Sequence, residues 1–207
     1  MALCAGLAGA AFAADDGRPV QVIGDKIQEV QALIRQHGDE YRLDHSKFRQ
    51  VVDEVVAPAF DLAYISQLVL GRQWGSATTE QRTRFQAAFK STLIDFYSGT
   101  LLQSADTGSA KWLLSEIDVV ERTAAVRAQR PQKSGPPTSI RFDMRLDDEN
   151  RWRVYDVTIA GLSLTANFRS QFGAELKRNG LDALIARLES GIGSTLPIDA
   201  AGTQRSH

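Results

Sequence analysis

Acidic and histidine side chains stand at several points of the chain where acid–base chemistry could take place. The acidic runs lie at 15–16, 53–54 and 147–149, and His45 follows an aspartate near a predicted helix start. Adjacent residues on a helix point in different directions, and residues 147–149 fall in a predicted hairpin turn. No candidate nucleophile lies near His45 in the sequence. We interpret all of these groups as solvated surface charge.

Asp156 is the exception, because it stands in an otherwise apolar strand between Tyr155 and Val157. A carboxylate in such a place needs a partner, and Arg72 or Arg169 could supply one. A structural salt bridge is the favoured interpretation. The alternative is an acid–base pair of Asp156 and Tyr155, in an enzyme that acts on a small hydrophobic substrate.

Composition and motifs exclude several functional classes. The chain has 207 residues with 24 basic and 25 acidic side chains, which leaves no electrostatic footprint for nucleic acid. The single cysteine, Cys4, and the three histidines exclude a Cys/His zinc site and a disulfide framework. The sequence contains no Gly-x-Ser-x-Gly elbow and no Gly-rich phosphate loop. We therefore predict a protein that is not an enzyme and uses no metal or cofactor.

The first residues have the features of an export signal. Residues 1–14 are small, apolar and uncharged, and Ala11-Phe12-Ala13 matches an A-x-A cleavage pattern. A basic region before the apolar run is missing, so we expect the natural leader to begin further upstream. The alternative is a short buried N-terminal helix. We assign 1–14 as the remnant of a secretory signal, 15–190 as one domain and 191–207 as a disordered tail.

Helices are predicted over the first half of the chain, where apolar residues recur at helical spacing. The longest opens with Thr78 and Gln81, which form a capping box, and has a wide apolar face. The first predicted helix spans 20–36 and ends at Gly38, and the second begins after Asp44 and ends at Pro58. The third spans 62–70, with Asp61 as its cap and Gly71 at its end, and the fourth spans 78–102.

Beyond residue 109 the apolar period changes from helical to two, which predicts strands over 112–121, 123–129, 139–146 and 151–159. Helices over 164–178 and 182–189 follow, separated by Asn179-Gly180. The strand 151–159 is apolar on both faces and must be covered on both sides. Helices, then an antiparallel meander, then helices predict an α+β fold, with a wedge between a twisted sheet and a long helix. Composition alone leaves open whether that wedge is packed or hollow.

Three sequence blocks resemble the MlaC / toluene-tolerance family, the periplasmic phospholipid-binding component of the Mla ABC transport system. The resemblance extends from about residue 19 to residue 188. The first block runs from Phe60-Asp61-Leu62 to Leu70-Gly71-Arg72-Gln73-Trp74. The second runs from Ala77-Thr78-Thr79-Glu80-Gln81 to Phe89. The third runs from Trp152 to Ile185 and includes Asp156-Val157, Gly161-Leu162-Ser163-Leu164 and Asn167-Phe168-Arg169.

The resemblance implies a nuclear-transport-factor-like fold. A twisted antiparallel sheet of about four to five strands packs with helices around an apolar pocket. It also implies a soluble periplasmic carrier that shuttles phospholipid between an outer-membrane lipoprotein complex and an inner-membrane Mla ABC transporter, and so maintains the lipid asymmetry of the outer membrane. Phospholipid would be the ligand, with no nucleic acid and no metal involved.

Candidate lipid contacts follow from combining the resemblance with the predicted elements. The tail contacts would form a helical wall and a sheet wall, namely Val69, Leu93, Tyr97 and Leu101, and Tyr155, Val157, Ile159 and Leu162. Lys111, Arg153 and Arg169 are the candidates for a head-group phosphate. Because the chain lacks a basic cluster, we expect the head group to stay largely in water. A structural or adaptor protein with a solidly packed wedge is the remaining alternative.

Overall fold

A computed structural model describes residues 17–105, 112–130 and 137–191 of the chain. Helices precede and follow a five-stranded antiparallel sheet whose strand order is β1-β2-β3-β4-β5. The elements are α1 (Pro19–Leu43), α2 (His45–Val51), a π-helical turn (Val52–Val56), a 3-10 turn (Ala57–Ala59), α3 (Leu62–Leu70), α4 (Arg72–Ser76), α5 (Thr79–Ala105), β1 (Leu113–Val120), β2 (Thr123–Arg130), β3 (Thr138–Leu146), β4 (Trp152–Ile159), β5 (Leu162–Ser163) and α6 (Leu164–Glu189). The predicted α+β class is confirmed.

Local capping explains where the helices begin. The Asp61 carboxylate accepts the Tyr64 N–H at 2.9 Å and caps α3. At α5, the Thr78 hydroxyl accepts the Gln81 N–H at 3.1 Å and the Gln81 side chain accepts the Thr78 N–H at 3.0 Å. Each cap satisfies N–H groups that a helix start leaves without an intrahelical partner. Both caps were predicted, and both are confirmed.

The prediction that Gly38 ends the first helix is wrong. α1 continues to Leu43 and its C-cap residue is Asp44, while Gly38 is buried inside the helix. A glycine within a helix costs only about 1 kcal/mol relative to alanine. Burial of Tyr41 in the following turn offsets that cost.

The helical run capped by Asp44 ends beside Pro58, as predicted, since Phe60 is extended, but it is not one regular α-helix. It widens into the π-helical turn Val52–Val56 and then tightens into the 3-10 turn Ala57–Ala59, which contains Pro58. A π turn inserts one residue into the helical repeat and rotates the following side chains. The change directs Val56 toward the cluster formed by α1 and α2. The short helix α4 was also absent from the sequence prediction.

Antiparallel pairing fixes the register of β2, β3 and β4 in the sheet. Val126 of β2 pairs with Phe142 of β3, which pairs with Val157 of β4. A bulge in the β3–β4 ladder places Tyr155 between the Asp143–Asp156 and Met144–Val154 pairs. Because the bulge adds one residue, Tyr155 does not follow the alternation of Val157 and Ile159.

Both sides of β4 are covered, as its apolar sequence requires. On one side, Ile23 of α1 packs against Val126, Met144 and Val154. On the other side, Tyr155 meets Tyr64 of α3 edge to face, with ring centroids 5.7 Å apart. The helices α1 and α3 therefore hold the sheet from opposite sides.

The last helix has a kink where two helices were predicted. Gly180 takes φ 80° and ψ 175° within α6, a conformation that glycine adopts without the strain a side chain would add. The helix axis changes direction there, and Leu184, Ile185 and Leu188 reach the core beyond the kink. The predicted interruption at Asn179-Gly180 is confirmed.

The predicted export signal at 1–14, the tail beyond Gly191 and Lys111 lie outside the described residues. Within the ranges that are described, no helix combines the length and the apolarity needed to cross a bilayer.

Asp147 offers a test of how the β3–β4 turn is held. Its carboxylate accepts the N–H groups of Glu149 and Arg151 at 2.9 Å each, and side-chain N–H groups of Arg151 and Arg153 at 3.1 and 3.0 Å. Partial burial by itself raises the pKa of Asp147, but these donors together lower it well below its usual range.

We expect Asp147→Asn to lower the free energy of unfolding at pH 7 by about 1–3 kcal/mol, because it removes the acceptor charge. The folded-state pKa is lowered, so the stabilisation is present above the unfolded pKa of about 3.9 and is lost as the pH falls below it. Urea unfolding between pH 7 and pH 2.5 measures both effects. Asp148→Asn, at the exposed neighbour, is the matched control, and an equal loss in the control would contradict this role for Asp147.

Candidate functional site

The helix α5 connects two separate packed clusters. Its 27 residues span about 40 Å. Near its N-terminus it contributes to a buried cluster of α3, α5 and α6 residues. We call it the aromatic cluster, because Phe85, Phe89, Phe168 and Phe172 lie within it at centroid separations of 5.1–6.2 Å. Near its C-terminus it contributes Leu102 to the α1–α2 cluster, which consists of Ile34, Tyr41, Phe48, Val52 and Leu102.

Between these clusters α5 carries apolar side chains that are only partly buried. Leu93, Phe96 and Tyr97 lie at the margin of the aromatic cluster. On the sheet, Phe142 and Val157 are likewise partly buried at the margin of the α1–sheet cluster formed by Ile23, Val126, Met144 and Val154. We call these five residues together the central apolar surface; they form two groups, one beside each cluster. Atoms that protein packing leaves uncovered can be covered by an apolar ligand.

Phe60 links the parts of this surface. It packs against both the aromatic cluster and the α1–sheet cluster. Its backbone forms a bridge with Val154, and the Asp61 N–H donates to the Val154 carbonyl at 2.9 Å. Asp61 also pairs with Arg145, whose guanidinium lies 4.6 Å from the centroid of the Tyr64 ring. These contacts fix the start of α3 against the sheet.

Of the four residues predicted to form the helical wall, only two lie on the central apolar surface. Val69 is 1% exposed and belongs to the packed interior of α3, α5 and α6. Leu93 and Tyr97 lie on the central apolar surface. Leu101 packs at the margin of the α1–α2 cluster, near the other end of α5.

The predicted sheet wall divides between locations. Val157 faces α1, whereas Tyr155 packs at the margin of the aromatic cluster. Ile159 pairs with Ile140 and Leu162 at the end of the sheet, and all three are partly buried. The bulge at Tyr155 explains the division, since it changes the alternation of side chains along β4.

The predicted site omits Phe96 and Phe142, although both lie within predicted elements, the helix 78–102 and the strand 139–146. Phe96 meets Tyr97 edge to face with ring centroids 5.0 Å apart. Its helical spacing was the signal that could have identified it. Which apolar residues remain incompletely covered depends on the packing of the neighbouring elements.

Tyr97 is the unusual polar group of this region. Its hydroxyl oxygen is buried and has no hydrogen-bond partner within the described parts of the chain. Burial raises the pKa of Tyr97 to about 12, because the phenolate would be poorly solvated there. The group therefore stays protonated, and able to donate, throughout the physiological range.

The prediction that Arg72 or Arg169 pairs with Asp156 is wrong. The Asp156 carboxylate accepts the N–H groups of Val157 and Thr165 at 2.9 Å each, and the Ser163 hydroxyl. Ser163 in turn accepts the Ala166 N–H at 3.1 Å and caps α6. Local helix-start donors thus replace the expected arginine.

This arrangement also bears on the proposed acid–base pair. The three hydrogen bonds to Asp156 position the junction of β4, β5 and α6, which accounts for a carboxylate in an apolar strand. Burial is the largest of the causes that raise the pKa of Tyr155, whose ring packs on Tyr64. Asp156 and Tyr155 have structural explanations that require no substrate.

The head-group candidates Arg153 and Arg169 differ in their exposure and in their hydrogen bonds. The guanidinium of Arg153 donates to Asp147 at 3.0 Å and to the Pro58 carbonyl, so it is engaged in the fold. Arg169 is exposed on α6 and lies beside Gly71, where a Cβ atom would be 3.2 Å from its Nη2. Of the two described candidates, Arg169 is the more accessible. No group of three or more His, Cys, Asp or Glu side chains suited to a metal ion occurs in ranges 17–105, 112–130 and 137–191.

Sequence comparison finds a matching family and similar proteins of known name. The family described as MlaC protein matches residues 25–190. The chain is similar to the toluene tolerance protein ttg2D of Pseudomonas putida, with 25% identity over 168 residues that cover 79% of this chain and 75% of the relative. It is also similar to the intermembrane phospholipid transport system binding protein MlaC of Haemophilus influenzae, with 24% identity over 159 residues that cover 75% of this chain and 73% of the relative.

A solved structure shares the fold. The phospholipid-binding protein of Ralstonia solanacearum, determined in complex with a phospholipid, superposes with a TM-score of 0.74 at 26% identity. The match covers 84% of this chain and 96% of that protein.

Asp156 provides a test of the structural interpretation. We expect Asp156→Asn to lower the free energy of unfolding by about 1–3 kcal/mol, because an amide cannot accept all three hydrogen bonds of the carboxylate. Circular dichroism during urea unfolding measures the change. Lipid retention by the folded variant should equal that of the wild type, and loss of lipid from a fully folded Asp156→Asn variant would contradict a purely structural role.

Proposed function

Because this chain belongs to the MlaC family, we propose that it carries phospholipid through the periplasm, between an outer-membrane lipoprotein complex and an inner-membrane ABC transporter. Its function is phospholipid-binding transport. The observation that supports the proposal most directly is the likeness over 84% of the chain to a protein solved with phospholipid bound. The central apolar surface is consistent with that role.

The physical demand on such a carrier is large. Two acyl chains contain on the order of 30 methylenes, and each costs about 0.8 kcal/mol when exposed to water. A carrier must replace the bilayer with an apolar enclosure. It must also release the lipid, so the enclosure cannot bind much more tightly than the membrane does.

We propose that the acyl chains lie along α5 and the adjoining sheet. Within the predicted set, the seven partly buried residues would contact the chains, namely Leu93, Tyr97, Leu101, Tyr155, Val157, Ile159 and Leu162. Phe96 and Phe142 are added to that set because each is partly buried beside one of the same two clusters. Val69 would support the wall from behind, since it is almost fully buried.

The head group is proposed to remain mostly in water. Arg153 is already bound to Asp147 and to a backbone carbonyl, and Arg169 is exposed on α6. With few cations positioned to hold a phosphate, selection among head groups should be weak. Transport would then depend on the acyl chains more than on head-group chemistry.

Native mass spectrometry of the protein purified from bacterial cells tests the carrier proposal. We expect a bound mass that corresponds to phospholipid, and extraction should yield head groups in roughly the proportions of the source membrane. One dominant head group would contradict the proposed tolerance. A protein that never acquires lipid, even after incubation with phospholipid vesicles, would overturn the carrier proposal and favour an adaptor with a packed interior.

Leu93→Trp tests whether the surface on α5 receives acyl chains. The larger ring should occupy space needed by lipid and reduce phospholipid retention at least tenfold, as measured by lipid extraction and mass spectrometry. Thermal stability of the lipid-free protein should change little if the space is open, whereas overpacking of a filled core costs about 1–3 kcal/mol.

Leu113→Trp is the matched control, because Leu113 lies on β1 and is 58% exposed. It should leave phospholipid retention unchanged. Strong destabilisation of Leu93→Trp together with normal lipid retention would show that Leu93 belongs to an ordinary packed core.

A further inference from the structure

Among the described residues, the Tyr97 hydroxyl has no hydrogen-bond partner that would explain its burial. Its oxygen is buried and lacks a hydrogen-bond partner within the described chain. A buried donor without an acceptor is unfavourable, so native proteins rarely retain one without a compensating role. A phenylalanine would fill the same space without that cost. The hydroxyl therefore points to an acceptor that arrives with a ligand.

The position of Tyr97 limits what that ligand can be. The residue lies between the aromatic cluster and the α1–α2 cluster along α5, with Phe96 against its ring at 5.0 Å and Leu93 one turn earlier. Its surroundings are apolar, as the strongly raised pKa of the phenol also indicates. An acceptor that enters such a place must be carried by a largely apolar molecule.

We propose that the Tyr97 hydroxyl donates a hydrogen bond to an acyl ester carbonyl of the bound phospholipid. This inference rests on the proposed lipid-carrier function and deepens it. The ester carbonyls are the polar groups closest to the acyl chains, and each is a neutral acceptor that needs a single donor. A phosphate carries a full charge and would require cationic or multiple donors for burial.

The consequence is a contact that recognises the class of lipid and not its head group. Diacyl phospholipids share the ester carbonyls whatever their head group is. Dialkyl ether lipids lack these carbonyls while keeping the same head group and chains. Tyr97 would thus set the depth at which the glycerol backbone sits and would favour diacyl lipids over their ether analogues.

Tyr97→Phe tests the proposal with two probes, a diacyl phosphatidylethanolamine and its dialkyl ether analogue of equal chain length. Lipid-free protein is loaded from vesicles of each, and retention is measured by extraction and mass spectrometry. We expect the variant to retain the diacyl lipid about tenfold less well than the wild type, and the ether lipid to within about twofold. The lipid-free variant should melt about 2–4 °C higher, because the unpaired hydroxyl is gone.

Tyr41→Phe is the control, since it makes the same chemical change at a buried tyrosine of the α1–α2 cluster. It should not alter the ratio of diacyl to ether lipid. A second measurement uses the wild type: infrared spectra of lipid labelled with ¹³C at the ester carbonyls should show a hydrogen-bonded band that Tyr97→Phe removes.

Three results would overturn the inference. Equal losses of diacyl and ether lipid in Tyr97→Phe would place the hydroxyl on the phosphate or head group. Unchanged retention of both lipids would show that Tyr97 makes no polar contact with lipid. Failure of the wild type to retain any phospholipid would instead refute the carrier function itself, so the two failures are distinguishable.

Discussion

The proposed function depends on apolar side chains that the packing of the described residues leaves only partly buried. The helix α5 is long enough to join two packed clusters, yet the stretch that carries Leu93, Phe96 and Tyr97 remains only partly buried between them. Uncovered apolar area is unfavourable in water. A fold that retains it gains stability when a hydrophobic ligand covers it. The proposed lipid carriage draws on this uncovered apolar area.

Polar contacts hold the walls around this surface in place. Asp61 caps α3 and pairs with Arg145 of β3, while Asp156 and Ser163 tie the end of β4 to the start of α6. Each group connects a helix terminus to the sheet, where local donors and acceptors must be satisfied. The partly buried apolar side chains therefore do not have to fix the arrangement of the elements themselves.

The predicted site illustrates how far pattern reasoning extends. Seven of the eight apolar residues belong to predicted helices and strands, whereas Leu162 lies in β5, which was not predicted. The structure distributes the eight among different locations. Tyr155 and Val157 are separated by a bulge, which no alternation rule reveals. Asp156 was recognised as a carboxylate that needs partners, yet those partners proved to be backbone amides and a serine a few residues away.

The sequence by itself determined the long helices and the four longer strands, the caps at Asp61 and Thr78, the interruption at Gly180 and the family resemblance. These features depend on residues close together in the chain. Only the tertiary structure decided which side chains are covered. Burial of Val69, partial exposure of Leu93 and isolation of the Tyr97 hydroxyl depend on elements far apart in sequence. Coverage by distant elements has no local signature, since the same apolar period describes a packed core and a surface that awaits a ligand.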